Sequence, residues 1–325
     1  MTVGGGVTLR AYRGAEDVPA LVEIWNAMAV ADGLPERRDV EQLSSWWRTP
    51  SPHFDASRDV TIAEVDGVVR GWAVQRWVDT SDGLRAHRVF GIAAPSGREL
   101  VGVLQDAAEA RARAVAAEHG EVGRQRVLET FANPSQTWRT NELERRGYQI
   151  VRWAFEMARP TLDDIVVPSM PEGLEIRPVA SDRESLRRVW DADHEAFADH
   201  WGGFDNSEEA FEDWLAEPTL DPSLFVVAWD GDEIAGAVLN VVNPAENELL
   251  GEQRGWLDSV FVRRPWRRRG LGAALVARSL EVLRDRGMTS AILGVDAENP
   301  MGALGLYERA GFVEISREAA WRKAL

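Results

Sequence analysis

Hydrophobic and polar positions along this 325-residue chain follow two periods, which predict strands and amphipathic helices in an order that occurs twice. Apolar residues recur with the helical period over 18–28 and again over 186–197, each time after a short strand pattern that begins at Leu9 or Ile176. Because strands and helices alternate in both halves, the pattern predicts an α/β fold built from two similar domains.

A β-hairpin is predicted after the first helix of each half. In the first half, the apolar strand pattern of 61–65 precedes Asp-Gly at 66–67, a dipeptide typical of tight hairpin turns. In the second half, the pattern of 225–229 precedes Asp-Gly at 230–231. Matching features of the two halves lie about 164–167 residues apart, so the repeat predicts a duplicated domain.

The repeat also predicts the domain bounds. The first domain spans 1–160, a linker spans 161–173, and the second domain spans 174–325. The linker contains Pro168 and Pro171 and lacks an amphipathic period, which is typical of connecting segments.

The second half carries a strand, a basic turn with glycines and a helix in direct succession. Val260 and Val262 end the predicted strand, and a helical pattern occupies 273–283. The first backbone N–H groups of a helix have no partner within it, and with the helix dipole they bind anions, phosphates above all. Glycines allow a close approach of such an anion, and arginines add positive charge. The turn is Arg267-Arg268-Arg269-Gly270-Leu271-Gly272.

The spacing of this turn is R-x-x-G-x-G, formed by Arg267, Gly270 and Gly272. It is neither the G-x-x-x-x-G-K-[ST] loop nor the G-x-G-x-x-G loop. It resembles the signature with which the GNAT N-acetyltransferase superfamily binds the pyrophosphate of acetyl-CoA.

A second segment downstream strengthens this resemblance. Asn299 and Pro300 are expected to start a helix that carries Tyr307, and Gly311 is expected to end it in a left-handed conformation before Phe312. These residue types occur in the same order in the GNAT superfamily, so the resemblance extends over roughly the second half of the chain.

The resemblance implies a fold class for both halves. Each domain is expected to be a central mixed β-sheet flanked by helices, and the fold is therefore a mixed-sheet α/β (α+β) fold with two tandem GNAT-type domains. The tandem arrangement is similar in layout to that of mycothiol synthase-like proteins.

The resemblance also implies where acetyl-CoA, the expected acetyl donor, binds. The cofactor is expected in a V-shaped opening between the fourth and fifth strands, 256–262 and 290–295 in this sequence. Its pantetheine arm would pair with strand backbone and its pyrophosphate would rest on the amides of the basic turn. The implied cofactor-binding residues are Val260, Phe261, Val262, Arg267, Arg268, Arg269, Gly270, Leu271, Gly272 and Asn299.

Acetyl transfer to an amine requires a base, an oxyanion donor and an acid for the thiolate. Tyr307 matches the family tyrosine that acts as the general acid toward the CoA sulfur. Asp258 lies two and four residues before Val260 and Val262, hence on the same strand face, where the family often places a carboxylate. Glu252 or a water molecule is the alternative base, and a main-chain N–H of the fourth strand is the expected oxyanion donor.

Substrate recognition is expected from the first two helices of the second half. Acidic side chains there can hold an ammonium group, and a tryptophan ring can face a cation. The alternative is a solvated helix face whose aromatic side chains belong to the core. The candidate substrate-binding residues are Asp193, Glu195, Asp199 and Trp201.

The first half lacks this chemistry. Its corresponding turn, 94–102, has no R-x-x-G-x-G spacing, and Glu99 places a negative charge where a pyrophosphate needs donors. Leu143 stands where the second half has Tyr307. The first domain is therefore predicted to be degenerate and not to bind acetyl-CoA, with a structural role or a role in walling the substrate cleft.

Charge separates the two halves. Residues 1–160 contain 20 Arg and 22 acidic residues, whereas residues 161–325 contain 17 basic and 31 acidic residues, in a chain of net charge −16. This balance argues against a nucleic-acid partner and favours a cationic small molecule. An acidic surface that only aids solubility is the alternative.

Other features exclude several classes of protein. The chain has no cysteine and five scattered histidines, so disulfides, thiolate chemistry and a metal site are not expected. There is no run of 18 apolar residues and no signal-peptide pattern in the first ten residues, so we expect a cytoplasmic protein without a membrane partner. The expected oligomeric state is a monomer or a homodimer.

The sequence thus predicts an acetyl-CoA-dependent N-acetyltransferase that acts on a primary amine of a small substrate, with the active site in the C-terminal domain. A non-catalytic acyl-CoA sensor or scaffold is the alternative, and the identity of the acceptor amine stays open.

Overall fold

The computed structural model describes residues 2–3, 6–48, 50–198, 200–298 and 302–325. The strands of these residues are β1 (Thr2–Val3), β2 (Val7–Ala11), β3 (Val60–Val65), β4 (Val68–Asp79), β5 (Arg85–Ala93), β6 (Arg126–Ala132), β7 (Gln149–Arg159), β8 (Glu175–Ile176), β9 (Val226–Asp230), β10 (Glu233–Val241), β11 (Arg254–Val262), β12 (Ser290–Asp296) and β13 (Val313–Ala324). The α-helices are α1 (Val18–Asp32), α2 (Val40–Trp46), α3 (Ala56–Asp59), α4 (Val101–Glu118), α5 (Thr137–Arg145), α6 (Arg183–Phe197), α7 (Glu208–Leu215), α8 (Pro244–Leu250), α9 (Leu271–Asp285) and α10 (Ala303–Arg309).

The chain divides into two compact units. Unit 1 comprises Met1–Trp153, Trp201–Pro218 and Arg317–Leu325, and unit 2 comprises Ala154–His200 and Thr219–Ser316. These units differ from the predicted bounds because the last strand of each half is divided between them. Residues 154–159 of β7 pair with β12, and residues 319–324 of β13 pair with β6.

The segment predicted as a linker, 161–173, contributes to the core of unit 2. Leu162 is buried there, and Ile165 and Met170 pack against the same cluster. The backbone N–H of Leu162 also donates to the carbonyl of Thr289 at 3.1 Å. The apolar residues of this segment are irregularly spaced, so no period in the sequence indicated that they are buried.

Unit 1 is a mixed sheet with helices on both faces. Strands β1 to β6 pair in sequence order, antiparallel throughout except for the parallel pair β5–β6. On one face, Leu104 of α4 packs in a core cluster with Val89 and Leu128. On the other face, Leu21 of α1 packs in a cluster with Ile62.

Unit 2 repeats this arrangement with the strand order β8-β9-β10-β11-β12-β7. Its pairs are antiparallel except for the parallel pair β11–β12. Helix α9 supplies Leu275, Leu280 and Leu283 to a core that also contains Val238 and Leu293. The apolar stripe predicted over 273–283 is thus buried against the sheet, and the helix itself is two residues longer at each end.

Both predicted hairpins form, but their turns differ. In the first hairpin Val65 pairs with Val68, and Asp66 and Gly67 adopt positive φ values of 51° and 77°, as predicted for an Asp-Gly turn. In the second hairpin Asp230 pairs with Glu233, so the loop is 231–232, one residue later than predicted.

The buried strand faces account for the later turn. Ile234 pairs with Trp229, and both side chains are buried. The predicted loop at 230–231 would instead place the polar Asp232 opposite Trp229, and a one-residue slip reverses the faces of a strand.

Among the helices described here, none has the length and apolar content needed to cross a membrane.

Candidate active site

The basic turn between β11 and α9 presents a series of unpartnered backbone donors. Arg268 and Gly270 adopt left-handed conformations with φ of 62° and 87°, and Gly270 is the N-cap of α9. The first internal helical bond runs from the N–H of Ala274 to the carbonyl of Gly270 at 3.3 Å, and in the described structure the N–H groups of 268–273 have no protein acceptor. Successive amides of this kind form a concave anion-binding site at the positive end of a helix dipole.

Arg267 positions this turn. Its Nε donates to the carbonyl of Val262 at 2.8 Å and its Nη2 donates to the carbonyl of Ala196 at 3.0 Å. Its own backbone N–H donates to the carbonyl of Arg264 at 3.3 Å. The guanidinium group predicted to contact phosphate is therefore engaged by protein carbonyls, whereas Arg268 and Arg269 are exposed on the turn.

The parallel strands β11 and β12 separate beside the turn. They pair only from Arg254–Ser290 to Trp256–Ile292, and in the described residues no pair follows, although β10 continues to pair with the other edge of β11. The predicted V-shaped opening is therefore present. Gly272 faces the opening, since a β-carbon built on it would lie 3.8 Å from Cγ2 of Val262 and 3.4 Å from Cδ2 of Leu306.

The strand residues expected to bind the cofactor lie along this opening. Phe261 is buried, while Val260 and Val262 are partly buried and pack against the core of unit 2. Their side chains therefore have a structural role, and the unpaired edge of their backbone is the part that faces the gap between β11 and β12.

Asp258 occupies a β-bulge at the point where this opening begins. Leu239 lies opposite Ser259 and Asn240 lies opposite Leu257, which leaves Asp258 as the extra residue of β11. The prediction that Asp258 and Val260 share a strand face relied on the regular alternation of side chains between the two faces. The bulge interrupts this alternation. Asp258 is exposed to solvent, yet many protein atoms lie around its carboxyl group. The desolvation that they cause raises the pKa of this carboxyl group.

Asp193 of α6 lies close to this bulge. The Ser259 hydroxyl donates to Oδ1 of Asp193 at 2.5 Å, and Nδ1 of His194 lies 3.8 Å from Oδ2. The pKa of Asp193 is raised to about 6, mainly by desolvation and also by the negative charge of Asp258, against the opposing effects of Ser259 and His194. Ser259 was not predicted as a site residue, because the sequence does not show which helix faces a strand.

Tyr307 lies in the core of unit 2 on α10. It is 5% exposed, and its ring centroid lies 6.0 Å from that of Phe312. In the part of the chain described here its hydroxyl has no hydrogen-bond partner, and burial raises the pKa of this phenol. Burial thus keeps the phenol protonated at neutral pH and makes it a weaker acid than an exposed tyrosine.

The helix that carries Tyr307 differs from its prediction at one end. Gly311 adopts a φ of 85°, which confirms that it ends the helix in a left-handed conformation. The described helix begins at Ala303 with Gly302 as its N-cap. Asn299 and Pro300, which were predicted to start this helix, lie outside the described residues.

Two of the predicted substrate residues, Asp193 and Glu195, lie on α6 of unit 2. Glu195 is paired with Arg263 at 2.7 Å, so its charge is compensated. Trp201 belongs to unit 1, where the guanidinium group of Arg322 lies 4.4 Å from its ring centroid. Asp199 lies outside the described residues. Of the two that lie in the described part of unit 2, Asp193 is the one beside Asp258.

The alternative base, Glu252, lies at the closed end of the opening. It is half-exposed and pairs with Arg254 at 3.7 Å, and Arg254 belongs to the first parallel pair of β11 with β12. Asp258, by contrast, follows the last of these pairs.

In unit 1 the turn before α4 has a different structure. Residues Pro95–Leu100 form a 3₁₀ helix in which Gly97 has a φ of −131°, so no left-handed glycine precedes α4. A β-carbon on Gly102, the counterpart of Gly272, would lie 3.2 Å from Oε1 of Glu142, and Nη2 of Arg146 donates to the Gly102 carbonyl at 2.8 Å. Side chains of unit 1 itself thus occupy the space beside the start of α4.

Comparisons with known proteins identify the class of domain. Residues 185–312 match the model of the Acetyltransferase (GNAT) family. The chain therefore contains a GNAT acetyltransferase domain and is an acetyltransferase that uses acetyl-CoA as the acetyl donor. It is 28% identical to a mycothiol acetyltransferase of Geodermatophilus obscurus over 311 residues, which are 94% of each chain.

Two solved structures confirm the predicted fold class. A GCN5-related N-acetyltransferase from Sphaerobacter thermophilus aligns with a TM-score of 0.72 at 27% identity, covering 99% of this chain and 97% of the other. A tandem GNAT protein from the clavulanic acid biosynthesis pathway aligns with a TM-score of 0.68 at 17% identity, covering 98% of each chain. The second comparison concerns the fold alone.

Proposed function

We propose that unit 2 holds the single acetyl-CoA site of the chain and transfers the acetyl group to a primary amine of a small substrate. The observation that carries this proposal is the series of unpartnered N–H groups at 268–273 beside the open edge of β11. Donors at a helix N-terminus suit the diphosphate, and an unpaired strand edge suits an extended amide-containing arm such as pantetheine.

The reaction assigns a role to each group of the site. Asp258, ionised, accepts a proton from the substrate ammonium or amine, directly or through water, and the amine nitrogen attacks the thioester carbon. A main-chain N–H of β11 stabilises the oxyanion. As the new C–N bond forms and the C–S bond breaks, Tyr307 donates its proton to the departing CoA thiolate.

Charge supports a cationic acceptor. Asp193 and Asp258 are two acidic groups at one place in unit 2, and they favour a positively charged amine over a neutral or anionic substrate. The relative from Geodermatophilus obscurus carries the name mycothiol acetyltransferase, so a mycothiol-related amine is the first acceptor to test.

Two corresponding glycines test the proposed site. Gly272 and Gly102 are each the second residue of their helix, α9 and α4. The methyl group of Gly272→Ala makes only ordinary contacts within the protein, so the variant folds, but it projects into the proposed cofactor site. We expect Gly272→Ala to weaken acetyl-CoA binding about ten-fold or more, and Gly102→Ala to leave it unchanged.

The measurements are acetyl-CoA titration by calorimetry and release of free CoA thiol with a panel of amines. The wild-type chain should bind one acetyl-CoA and release CoA thiol with at least one amine of the panel. Two bound cofactors per chain, or a loss of affinity in Gly102→Ala rather than Gly272→Ala, would contradict the assignment to unit 2.

A further inference from the structure

Two side-chain contacts hold the C-terminal part of helix α6 to the sheet of unit 2. The Ser259 hydroxyl of β11 donates to Asp193 at 2.5 Å. Arg263, the residue that follows β11, pairs with Glu195 at 2.7 Å and also donates to the carbonyl of Ile234 on β10 at 2.9 Å. The end of α6 that carries Asp193 is therefore fixed to the strands.

Arg267 connects the same end of α6 to the basic turn. Its Nη2 donates to the carbonyl of Ala196 at 3.0 Å, and its Nε donates to the carbonyl of Val262 at 2.8 Å. Ala196 lies in the last turn of α6, where backbone carbonyls lack donors within the helix and a cationic donor is favourable. The guanidinium group is planar and its donors have a fixed geometry, so Arg267 holds the start of the turn at a defined position relative to α6.

The turn that Arg267 holds has a strained backbone. Arg268, the next residue, has a φ of 62°, a conformation that costs free energy for a residue with a β-carbon. Such a conformation persists only where surrounding interactions compensate for its cost. The hydrogen bonds of Arg267 are one such interaction. An anion bound to the amides of 268–273 is another, because these donors point to one place only while the turn keeps its shape.

Two interactions that favour the same conformation strengthen each other by thermodynamic linkage, and the effect is reciprocal. A diphosphate bound at the turn should therefore strengthen the contact between Arg267 and Ala196. This contact lies three residues from Asp193 on α6, so cofactor binding should fix Asp193 more firmly in its place.

We propose that Arg267 is a positioning residue that couples the cofactor turn to the acceptor side of the site, so that acetyl-CoA and the amine bind cooperatively. This inference rests on the proposed function, because it takes the turn as the cofactor site and Asp193 as part of the acceptor site. Arg267 acts through the backbone of α6 and does not itself contact the reacting groups.

Hydrogen exchange measured by mass spectrometry tests the coupling with CoA as the added ligand. In the wild-type chain, saturating CoA should slow the exchange of the backbone amides of 190–197 about five-fold or more. Arg267→Met keeps the apolar part of the side chain and removes its donors. In this variant, CoA should leave the exchange of 190–197 unchanged at a concentration at which calorimetry shows the site to be full.

Arg286→Met is the matched control. Arg286 follows the other end of α9 and also ties the helix to another segment through two donors, at 3.2 Å to Asp221 and at 2.7 Å to Ser223. In this variant, CoA should slow the exchange of 190–197 as in the wild-type chain. The coupling is overturned if the wild-type segment does not respond to CoA, or if the Arg267→Met segment responds fully.

The kinetic constants of the acceptor give a second readout. The substrate is the amine of the panel that releases CoA thiol fastest, with acetyl-CoA at saturation. Arg267→Met should raise the KM of this amine about ten-fold and change kcat much less, because it removes cofactor-dependent affinity and not a reacting group. A merely structural role of Arg267 would lower the fraction of active protein and leave KM unchanged, and that result would overturn the proposal.

Calorimetry of the wild-type chain with CoA separates the two ways in which this inference can fail. If CoA binds but the exchange of 190–197 does not respond, the coupling is wrong and the cofactor site stands. If CoA does not bind, the assignment of the turn is wrong and the coupling fails with it. Both results come from the wild-type chain, so they do not depend on the folding of Arg267→Met.

Discussion

At the scale of single residues, the mechanism proposed for unit 2 depends on two carboxyl groups that lie near each other. Asp193 and Asp258 both have raised pKa values, mainly because the protein desolvates them, and each ionised carboxylate disfavours the ionisation of the other. Groups coupled in this way titrate as a pair. Because its pKa is raised, a carboxylate in such a pair accepts a proton from an amine substrate more readily than an isolated aspartate does.

The pH dependence of kcat/KM tests this pairing. Asp258 must be ionised to act as the base, so kcat/KM should fall as the pH falls through the pKa of Asp258, which desolvation raises above its ordinary value. Asp193→Asn removes the neighbouring negative charge, so the fall should move to lower pH, while activity near neutral pH is retained. A pH profile measured with saturating acetyl-CoA checks this.

Glu252→Gln is the matched control, because it removes a carboxylate that pairs with Arg254 at the closed end of the opening. Its profile should match that of the wild-type chain. If Asp193→Asn leaves the profile in place, the two carboxyl groups are not coupled. If Asp193→Asn is inactive at every pH, Asp193 and not Asp258 is the base.

Tyr307→Phe tests the proposed acid. The substitution removes a buried hydroxyl that has no hydrogen-bond partner in the described structure, so the Tm should change little. The kcat should fall about a hundred-fold, the usual contribution of a positioned acid, while the Kd of acetyl-CoA is unchanged. Stopped-flow turnover and cofactor titration measure the two constants; an unchanged kcat would remove Tyr307 from this role.

At the scale of elements, helix α9 connects the turn of the proposed cofactor site to the core of unit 2. It is preceded by Gly270 with a φ of 87° and followed by Gly287 with a φ of 85°, and a β-carbon at either position would meet no atom within 4 Å. The two glycines are thus equivalent in conformation and in free space. They differ in that only Gly270 lies in the turn with unpartnered amides.

Because the two glycines are equivalent in these respects, a comparison of their alanine variants separates the effect of backbone strain from the effect on cofactor binding. Gly270→Ala and Gly287→Ala should each lower the free energy of unfolding by about 1 kcal/mol, because alanine is strained in the left-handed region. Only Gly270→Ala should also weaken acetyl-CoA binding. Denaturant unfolding and calorimetric titration give the two quantities, and equal cofactor affinities in the two variants would remove the turn from the cofactor site.

At the scale of the whole molecule, the end of the chain is part of unit 1. Lys323, the single lysine of the sequence, donates to both carboxylate oxygens of Glu109 at 2.9 Å. Tyr148 also donates to Glu109, at 3.0 Å, and Gln105 donates to Tyr148. This buried polar network fastens the last strand to α4.

Lys323→Met should therefore destabilise the chain. It leaves the buried carboxylate of Glu109 without its main cation and should lower the free energy of unfolding by about 2 kcal/mol. Arg113→Gln removes a half-exposed partner of the same carboxylate and should cost less than about 0.5 kcal/mol. Denaturant unfolding of both variants checks the difference, and similar losses in the two would contradict a structural role for Lys323.

Features that depend on neighbouring residues were predictable from the sequence. The Asp-Gly turn at 66–67, the helix of 273–283 and the left-handed Gly311 are decided by local backbone preference and by hydrophobic period. The bulge at Asp258 was not predictable, because a bulge is a mismatch between two strands. The contact between Ser259 and Asp193 was missed for a similar reason, since it joins a strand to a helix distant in the sequence.

By itself, the sequence determined the repeat of elements, the R-x-x-G-x-G turn and hence the class of the protein, because these depend on spacing along the chain. Only the tertiary structure decided that the Arg267 side chain holds the turn, while other residues of the turn present the free amides. It also decided that β11 and β12 separate after Trp256, and that the last strand of each half is divided between two units. Those outcomes depend on which polar groups and strand edges meet in space, and that is settled by the packing of the whole chain.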